Sequence, residues 1–185
     1  SRTQDNSQNV VAVGEEIKKQ LEAAGFGVVH DTTCHDYPSY NGSYDRSGET
    51  IQRNLEKYPD IQVTLDVHRD AMGTQDGMRI KPTALINGKK AAQVMIISGC
   101  DDDGTLGFPN WEYNLRLGVR IQKSLSDLYP GLARPLSFCP KKYNEHMTKG
   151  SLLVEFGTEV NTLEEVKYSG QLFGKALAET LEQLT

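Results

Sequence analysis

Apolar residues recur with two different periods along this chain, and the order of the two periods predicts its architecture. A spacing of three and four positions, typical of amphipathic helices, occurs in four stretches: residues 10–24, 49–57, 111–129 and 162–181. The last stretch begins with Thr162 and Glu165, which form the sequence pattern of a capping box. The sequence therefore predicts four helices distributed along the whole chain.

A spacing of two positions, typical of strands, alternates with the helical spacing. It predicts a strand at residues 61–70, and short apolar segments predict further strands at 27–30, 83–86, 93–98 and 151–156. Between the third and fourth of these, Asn87-Gly88 predicts the turn of a hairpin. Because helices and strands alternate, we expect an α/β domain whose sheet has parallel members and helices on its faces.

Two segments interrupt these patterns and are predicted to be irregular. Residues 35–49 form a polar loop that contains Tyr37, Tyr40 and Tyr44. Residues 134–150 form a second irregular segment, immediately before the last strand. Long loops in compact domains are often functional, so both segments are candidates for contributing to a site.

Length, composition and charge narrow the class of protein. A chain of 185 residues is predicted to be one domain. Its net charge of −5, without a stripe of lysine or arginine, argues against nucleic acid as a partner. No apolar run of about 18 residues is present, so no membrane segment is predicted. The polar start at Ser1, without methionine, suggests a piece of a longer protein.

The strand predicted at 61–70 ends in His68, Arg69 and Asp70. The carboxyl ends of strands in open α/β sheets are where ligands bind, so His68 is a candidate metal ligand or acid–base group. The alternative is a structural network among these three residues. His-Arg-Asp also opens the catalytic loop of protein kinases, but Gln75 stands where that loop needs asparagine, and the other kinase motifs are absent.

The strand predicted at 151–156 carries Glu155 within an otherwise apolar run. A carboxylate in a buried strand must be paired, bound to a metal or protonated. The alternative is that Glu155 points to solvent between Val154 and Phe156. Together, His68 and Glu155 could supply one ligand and the general base of a zinc hydrolase, but they cannot supply three ligands.

Four stretches of the chain resemble the stage II sporulation protein P family, which are cell-wall hydrolases of endospore-forming bacteria. The stretches are LDVHRDA (residues 65–71), PNWEYN (109–114), KYNEH (142–146) and LLVEFGTEVNT (152–162). More distantly, the chain is similar to the zinc-dependent N-acetylmuramoyl-L-alanine amidases. The resemblance implies a single amidase-like α/β domain, with a twisted, mixed and mostly parallel sheet flanked by helices on both faces.

The resemblance also assigns roles to particular residues. It implies that His68 binds zinc and that Glu155 activates water and passes its proton to the leaving amine. Four further residues are implied near the site, as substrate contacts or supports: Arg69, Asp70, Asn144 and His146. Arg69 could hold a substrate carboxylate through its planar guanidinium, or it could pair with Asp70.

The implied activity is removal of stem peptides from peptidoglycan during spore engulfment, by an amidase that also has endopeptidase activity in the family. The implied cofactor is zinc, and the implied partners are peptidoglycan and stage II sporulation protein D. The intact protein is expected to be anchored outside the cytoplasm, in the engulfing mother-cell membrane, and to act between the two membranes.

The chain departs from the family at its amino-terminal end. The family has a first strand that ends in His-Thr-His, followed by a glutamate, and these residues supply further zinc ligands. We therefore expect residues 1–185 to be a catalytic domain that lacks this strand and those ligands, with impaired activity. A less favoured expectation is that His30, His35, Glu15 or Glu16 replaces them.

Two other functions remain open from the sequence. A binding module without chemistry would use the tyrosines of residues 35–49 and Trp111 to stack on sugars. A zinc carboxypeptidase would need a closely spaced His-x-x-Glu pair of ligands, which this chain lacks. The carboxypeptidase is therefore the weakest of the three hypotheses.

Overall fold

A computed structural model of the chain describes residues 3–185. Its helices and strands, in chain order, are α1 (Val10–Ala23), α2 (Ser43–Lys57), β1 (Thr64–Asp70), β2 (Thr83–Ile86), β3 (Lys89–Ala92), β4 (Val94–Gly99), α3 (Trp111–Leu128), β5 (Ser137–Cys139), β6 (Ser151–Thr158) and α4 (Leu163–Glu182). A single 3₁₀ turn, Glu145–Met147, precedes β6.

The main sheet has four strands in the order β1-β6-β4-β5. Strands β1 and β6 are parallel, β4 is antiparallel to β6, and β5 is parallel to β4. The predicted mixed and mostly parallel sheet is therefore confirmed. Strands β2 and β3 form a separate antiparallel hairpin around Asn87 and Gly88, both of which have positive φ.

The hydrophobic core lies on one face of the main sheet. Alternate residues of β6 point into it. The rings of Phe156 and of Phe173 in α4 pack in a T-shaped arrangement, with their centroids 5.4 Å apart. Residues of α1, α3 and α4 fill the rest of this core, including Ile17, Ile121 and Leu177. The capping box of Thr162 and Glu165 at the start of α4 is present as predicted.

The opposite face of the sheet carries polar residues and is covered by different elements. Here the first turn of α2 places the Tyr44 ring against His68 of β1. The 3₁₀ turn before β6 also packs on this face, through the side chain of Glu145 and the backbone of Gly99. Helices therefore lie on both faces of the sheet.

Two predicted strands differ from the structure. Residues 27–30 lie outside every strand, so that prediction was wrong. Phe26 and Val28 instead pack against the core cluster, which explains the apolar pattern without a strand. The strand predicted at 93–98 begins at Val94, and β3 precedes it, so that Gln93 separates a hairpin strand from a strand of the main sheet.

Two irregular segments contain more structure than the sequence predicted. Helix α2 begins at Ser43, after Gly42 with its positive φ, rather than at residue 49. The segment 134–150 contains β5, which pairs with β4, and the 3₁₀ turn. Among the helices of the described residues, none combines the length and apolar character needed to cross a bilayer.

Candidate active site

The site is organised by the pairing of two parallel strands. His68 of β1 and Glu155 of β6 are register partners. Side chains of register partners point to the same face of a sheet, and here that face is the one opposite the hydrophobic core. Two residues from distant parts of the sequence are thus held side by side by backbone hydrogen bonding.

Asp66 lies on the same face, two residues before His68. The Nε2 atom of His68 donates a hydrogen bond to Oδ1 of Asp66 at 2.8 Å. The other oxygen, Oδ2 of Asp66, is buried without a hydrogen-bond partner among the described residues, as is Oε2 of Glu155. The site therefore presents two buried carboxylate oxygens that are available to another group.

The neighbouring charges and burial change the pKa values of His68 and Glu155. Burial raises the pKa of Glu155 to about 7; His68 and Arg134 lower it, and the carboxylates of Asp70 and Asp66 raise it. Burial by itself would lower the pKa of His68, but the hydrogen bond and charge of Asp66 and the charge of Glu155 outweigh burial and raise it. Glu155 can therefore exchange a proton near neutral pH.

Tyr44 covers one side of this pair. Its ring stacks on the ring of His68, with centroids 6.1 Å apart and planes at 22°. Burial raises the pKa of Tyr44 to about 12, with a smaller contribution from Asp66. The side-chain amide of Asn144 donates to the backbone oxygen of Tyr44 at 2.8 Å. Gly48 lies close to this amide, since a Cβ added there would be 3.2 Å from Oδ1 of Asn144.

Glu145 is a third carboxyl group on this face. It is 2% exposed, and its Oε2 accepts a hydrogen bond from the backbone amide of Gly99 at 2.9 Å. Burial raises its pKa to about 8; the bond from Gly99 lowers it and the charge of Asp66 raises it. Near neutral pH, Glu145 is thus a mostly protonated group beneath the site.

The structure distinguishes among the four residues expected near the site. Asp70 pairs with Arg134 at 2.8 Å rather than with Arg69. Arg69 is exposed, and it forms no ion pair within residues 3–185. Asn144 is brought to the site through Tyr44. His146 has a buried Nδ1 without a hydrogen-bond partner in the described structure, and burial lowers its pKa.

The histidines considered as replacement ligands have other partners. Nδ1 of His30 lies 3.2 Å from Glu15. Nε2 of His35 lies 2.9 Å from the hydroxyl of Thr50, although the charge of Asp66 also acts on His35. Glu16 pairs with Lys19 at 3.1 Å.

The donor types on this face suit zinc, because zinc binds imidazole nitrogen and carboxylate oxygen. His68 and the unpartnered oxygens of Asp66 and Glu155 are of these types. Within residues 3–185, however, no group of three or more His, Cys, Asp or Glu side chains is arranged to hold a metal ion. His68 therefore fits the role of one zinc ligand, but the described residues do not form a complete set of zinc ligands.

Sequence reasoning did not identify Asp66, Glu145 or Arg134. Asp66 occupies the polar position of an alternating strand, where aspartate is ordinary, but its place two residues before His68 on the same face was a usable signal. Glu145 and Arg134 lie in the segment that reads as irregular, so nothing local marks them. Their roles depend on contacts with Gly99 and Asp70, which are distant in sequence.

Solved structures give a comparison for the fold. The chain is similar to the CwlD amidase from Clostridioides difficile, solved in complex with the GerS lipoprotein, with a TM-score of 0.58. The similarity covers 94% of this chain and 82% of that one at 11% sequence identity. At this identity the likeness shows the fold alone, which is amidase-like, as expected.

Sequence comparison identifies the family. The chain is 30% identical over 172 residues to stage II sporulation protein P of Bacillus subtilis, which covers 86% of this chain. The chain spans 40% of the length of that relative. The sequence pattern of the stage II sporulation protein P family matches residues 1–178. The chain therefore belongs to the stage II sporulation protein P family.

Proposed function

We propose that this chain is the catalytic domain of a peptidoglycan hydrolase that acts in sporulation. The bond cleaved is the amide between N-acetylmuramic acid and L-alanine, which makes the activity that of an N-acetylmuramoyl-L-alanine amidase. Family membership and the amidase-like fold support a cell-wall hydrolase. The observation that carries the chemistry is the partly buried pair of His68 and Glu155, side by side on β1 and β6.

Glu155 is proposed as the general base and acid. A group whose pKa lies near the working pH can both take and return a proton, and burial raises the pKa of Glu155 to about 7. In the proposed reaction, Glu155 takes a proton from the attacking water and returns it to the leaving amine. The absence of a hydrogen-bond partner for Oε2 of Glu155 among the described residues supports this role, because that oxygen is free to accept a proton.

His68 is proposed as one zinc ligand. The chemistry that bound zinc supplies is polarisation of the scissile carbonyl and a lower pKa for the attacking water. Asp66 holds the His68 ring through Nε2, and a carboxylate bonded to a ligand imidazole fixes the orientation of the ring. The family resemblance assigns the remaining ligands to a segment upstream of this chain.

The proposed substrate is peptidoglycan, and the proposed partner is stage II sporulation protein D. By the family resemblance, the intact protein acts outside the cytoplasm, between the mother-cell and forespore membranes. Removal of stem peptides would produce bare glycan strands, and these strands would be the substrate of the partner. Endopeptidase activity on the stem peptides belongs to the same proposal.

Replacement of Glu155 tests the proposed chemistry. In the intact protein, Glu155→Gln should lower the rate of release of peptides from purified peptidoglycan about 1,000-fold, because the variant cannot take a proton from water. Glu164→Gln changes an exposed glutamate in the first turn of α4 and should leave the rate unchanged. The new amino groups formed by amide cleavage provide the measurement.

The same experiment separates the enzyme from a binding module. An enzyme would lose turnover in Glu155→Gln and still bind sedimented peptidoglycan. If the parent protein binds peptidoglycan but releases no peptide, the chain is a binding module and the proposed chemistry is wrong. Equal rates for Glu155→Gln and Glu164→Gln would also reject Glu155 as the base.

Zinc content tests the role of His68. We expect one zinc ion per chain in the intact protein and its loss in His68→Ala, because a ligand imidazole is removed. His30→Ala is the matched control, since His30 pairs with Glu15, and it should retain zinc. Elemental analysis after dialysis measures both. Zinc retained in His68→Ala, or lost in His30→Ala, would require a different set of ligands.

A further inference from the structure

A row of rings leads away from the candidate active site and ends at a lysine. The ring of Tyr44 lies 6.1 Å from that of His68, and the ring of Tyr143 lies 6.0 Å from that of Tyr44. The ammonium group of Lys141 then lies 5.8 Å from the centre of the Tyr143 ring. The proposed function uses none of the last three residues of this row for chemistry.

The end of the row is held firmly by the backbone. The amide of Lys141 bonds to the oxygen of Cys139 at 2.8 Å. The Lys141 carbonyl also lies against Gly99 of β4, where an added Cβ would approach it to 1.9 Å. No other residue than glycine fits at this position without a shift of the backbone. The sheet therefore fixes the point from which the Lys141 side chain extends.

Charge differs between the two ends of the row. At the first end, His68 lies beside Asp66 and Glu155, and the carboxyl groups of Asp66, Glu155 and Glu145 act electrostatically on Tyr44. At the other end, Lys141 is exposed and has no carboxylate within ion-pair distance among residues 3–185. An anionic ligand would therefore be attracted at the Lys141 end of the row.

We propose that Tyr44, Tyr143 and Lys141 form a subsite for the stem peptide of peptidoglycan, with Lys141 binding a peptide carboxylate. The choice of peptide over glycan follows from charge, because the stem peptide carries free carboxylates, whereas the muramic acid carboxyl is consumed in the amide. The row's length also suits a peptide: its steps of 6.1, 6.0 and 5.8 Å are each slightly shorter than two extended residues, which span about 7 Å. This inference rests on the proposed function for the class of substrate.

Binding, measured without turnover, tests the subsite. The intact protein carrying Glu155→Gln serves as the parent, and calorimetric titration gives the affinity. One probe is a soluble disaccharide-peptide fragment of peptidoglycan, and the other is the same fragment with its carboxylates converted to methyl esters. Lys141→Met removes the charge and keeps most of the apolar side chain. Lys175→Met, at an exposed position of α4, is the matched control.

We expect Lys141→Met to weaken binding of the free-acid probe about tenfold, the loss typical of one charge-assisted hydrogen bond. Binding of the ester should be the same in both lysine variants. Tyr143→Leu should weaken the binding of both probes, because it removes the aromatic ring and leaves the charge of Lys141 in place.

Three results would overturn the subsite. The first is that Lys141→Met and Lys175→Met bind the free-acid probe with equal affinity. The second is that Lys141→Met loses the same factor of affinity for the free acid and for the ester. The third is failure of the parent to bind either probe. A failure of the proposed function would show itself differently, as hydrolysis that survives Glu155→Gln, whatever the lysine variants do.

Discussion

The two faces of the central sheet are built from alternate residues of the same strands, yet they differ in kind. On one face, Val154 and Phe156 of β6 lie in a core filled by three helices. On the other, Glu155 lies between them in sequence and shares its face with His68 and Asp66. The core face is packed with apolar side chains, whereas the polar face has buried carboxylate oxygens without a hydrogen-bond partner among the described residues.

Strand β6 thus contributes to the hydrophobic core and to the candidate active site through alternate residues. Buried polar atoms without partners cost free energy, so the polar face is expected to reduce stability. The core face offsets that cost, and the alternation of side chains along β6 separates the two tasks by a single residue. Substitutions at neighbouring positions should therefore have opposite consequences.

The largest effect on stability is expected at the core face. Phe156→Ala should lower the free energy of unfolding by about 3–5 kcal/mol, because it removes a fully buried ring and leaves a cavity beside Phe173. Glu155→Gln, one residue away, should leave the free energy of unfolding unchanged or raise it. Urea denaturation of the two variants measures both. A comparable loss in Glu155→Gln would contradict the division between the faces.

A smaller effect, which depends on pH, is expected at Glu145. Its pKa is raised by burial to about 8 in the folded chain, from an ordinary value of 4.5. The folded chain therefore holds a proton that the unfolded chain loses, so the stability contributed by the neutral carboxyl falls as the pH rises from about 4.5 to about 8. Glu145→Gln stays neutral and should be more stable than the parent by a few kcal/mol at pH 8.5.

That gain should disappear at pH 4, where the parent's carboxyl is neutral in both states. Thermal unfolding at the two pH values measures the difference. Glu49→Gln, on the exposed surface of α2, reports the effect of removing one negative charge alone. A gain for Glu145→Gln that is the same at pH 4 and pH 8.5 would show that ionisation of this carboxyl is not its cause.

The parts of the fold that the sequence predicted are those with local causes. Helix α4 was predicted with its start, because Thr162 and Glu165 bond to each other's backbone within one turn. Strand β5 was not, because its three residues depend on pairing with β4, which lies far away in sequence. Conversely, the apolar pattern at residues 27–30 was local, but no neighbouring strand completed it.

The site follows the same rule. His68 and Glu155 were identified because each stands out in an apolar strand, and the structure places the two side by side. Glu145 did not stand out, since a glutamate in a polar segment is ordinary until tertiary packing buries it. Tyr44 was noticed as one of three loop tyrosines, but only the early start of α2 shows which of them lies against His68.

The pairing of β1 with β6 has a kinetic consequence. The hydroxyls of Thr64 and Ser151, at the start of this pairing, are 87 positions apart along the chain. Contacts between such distant positions close large loops, and they form slowly compared with helices and hairpins. Helix α4 and the β2–β3 hairpin can form before β1 meets β6, but His68 and Glu155 then remain apart. Recovery of the proposed activity during refolding should therefore follow the formation of this long-range pairing rather than the earlier gain of helix.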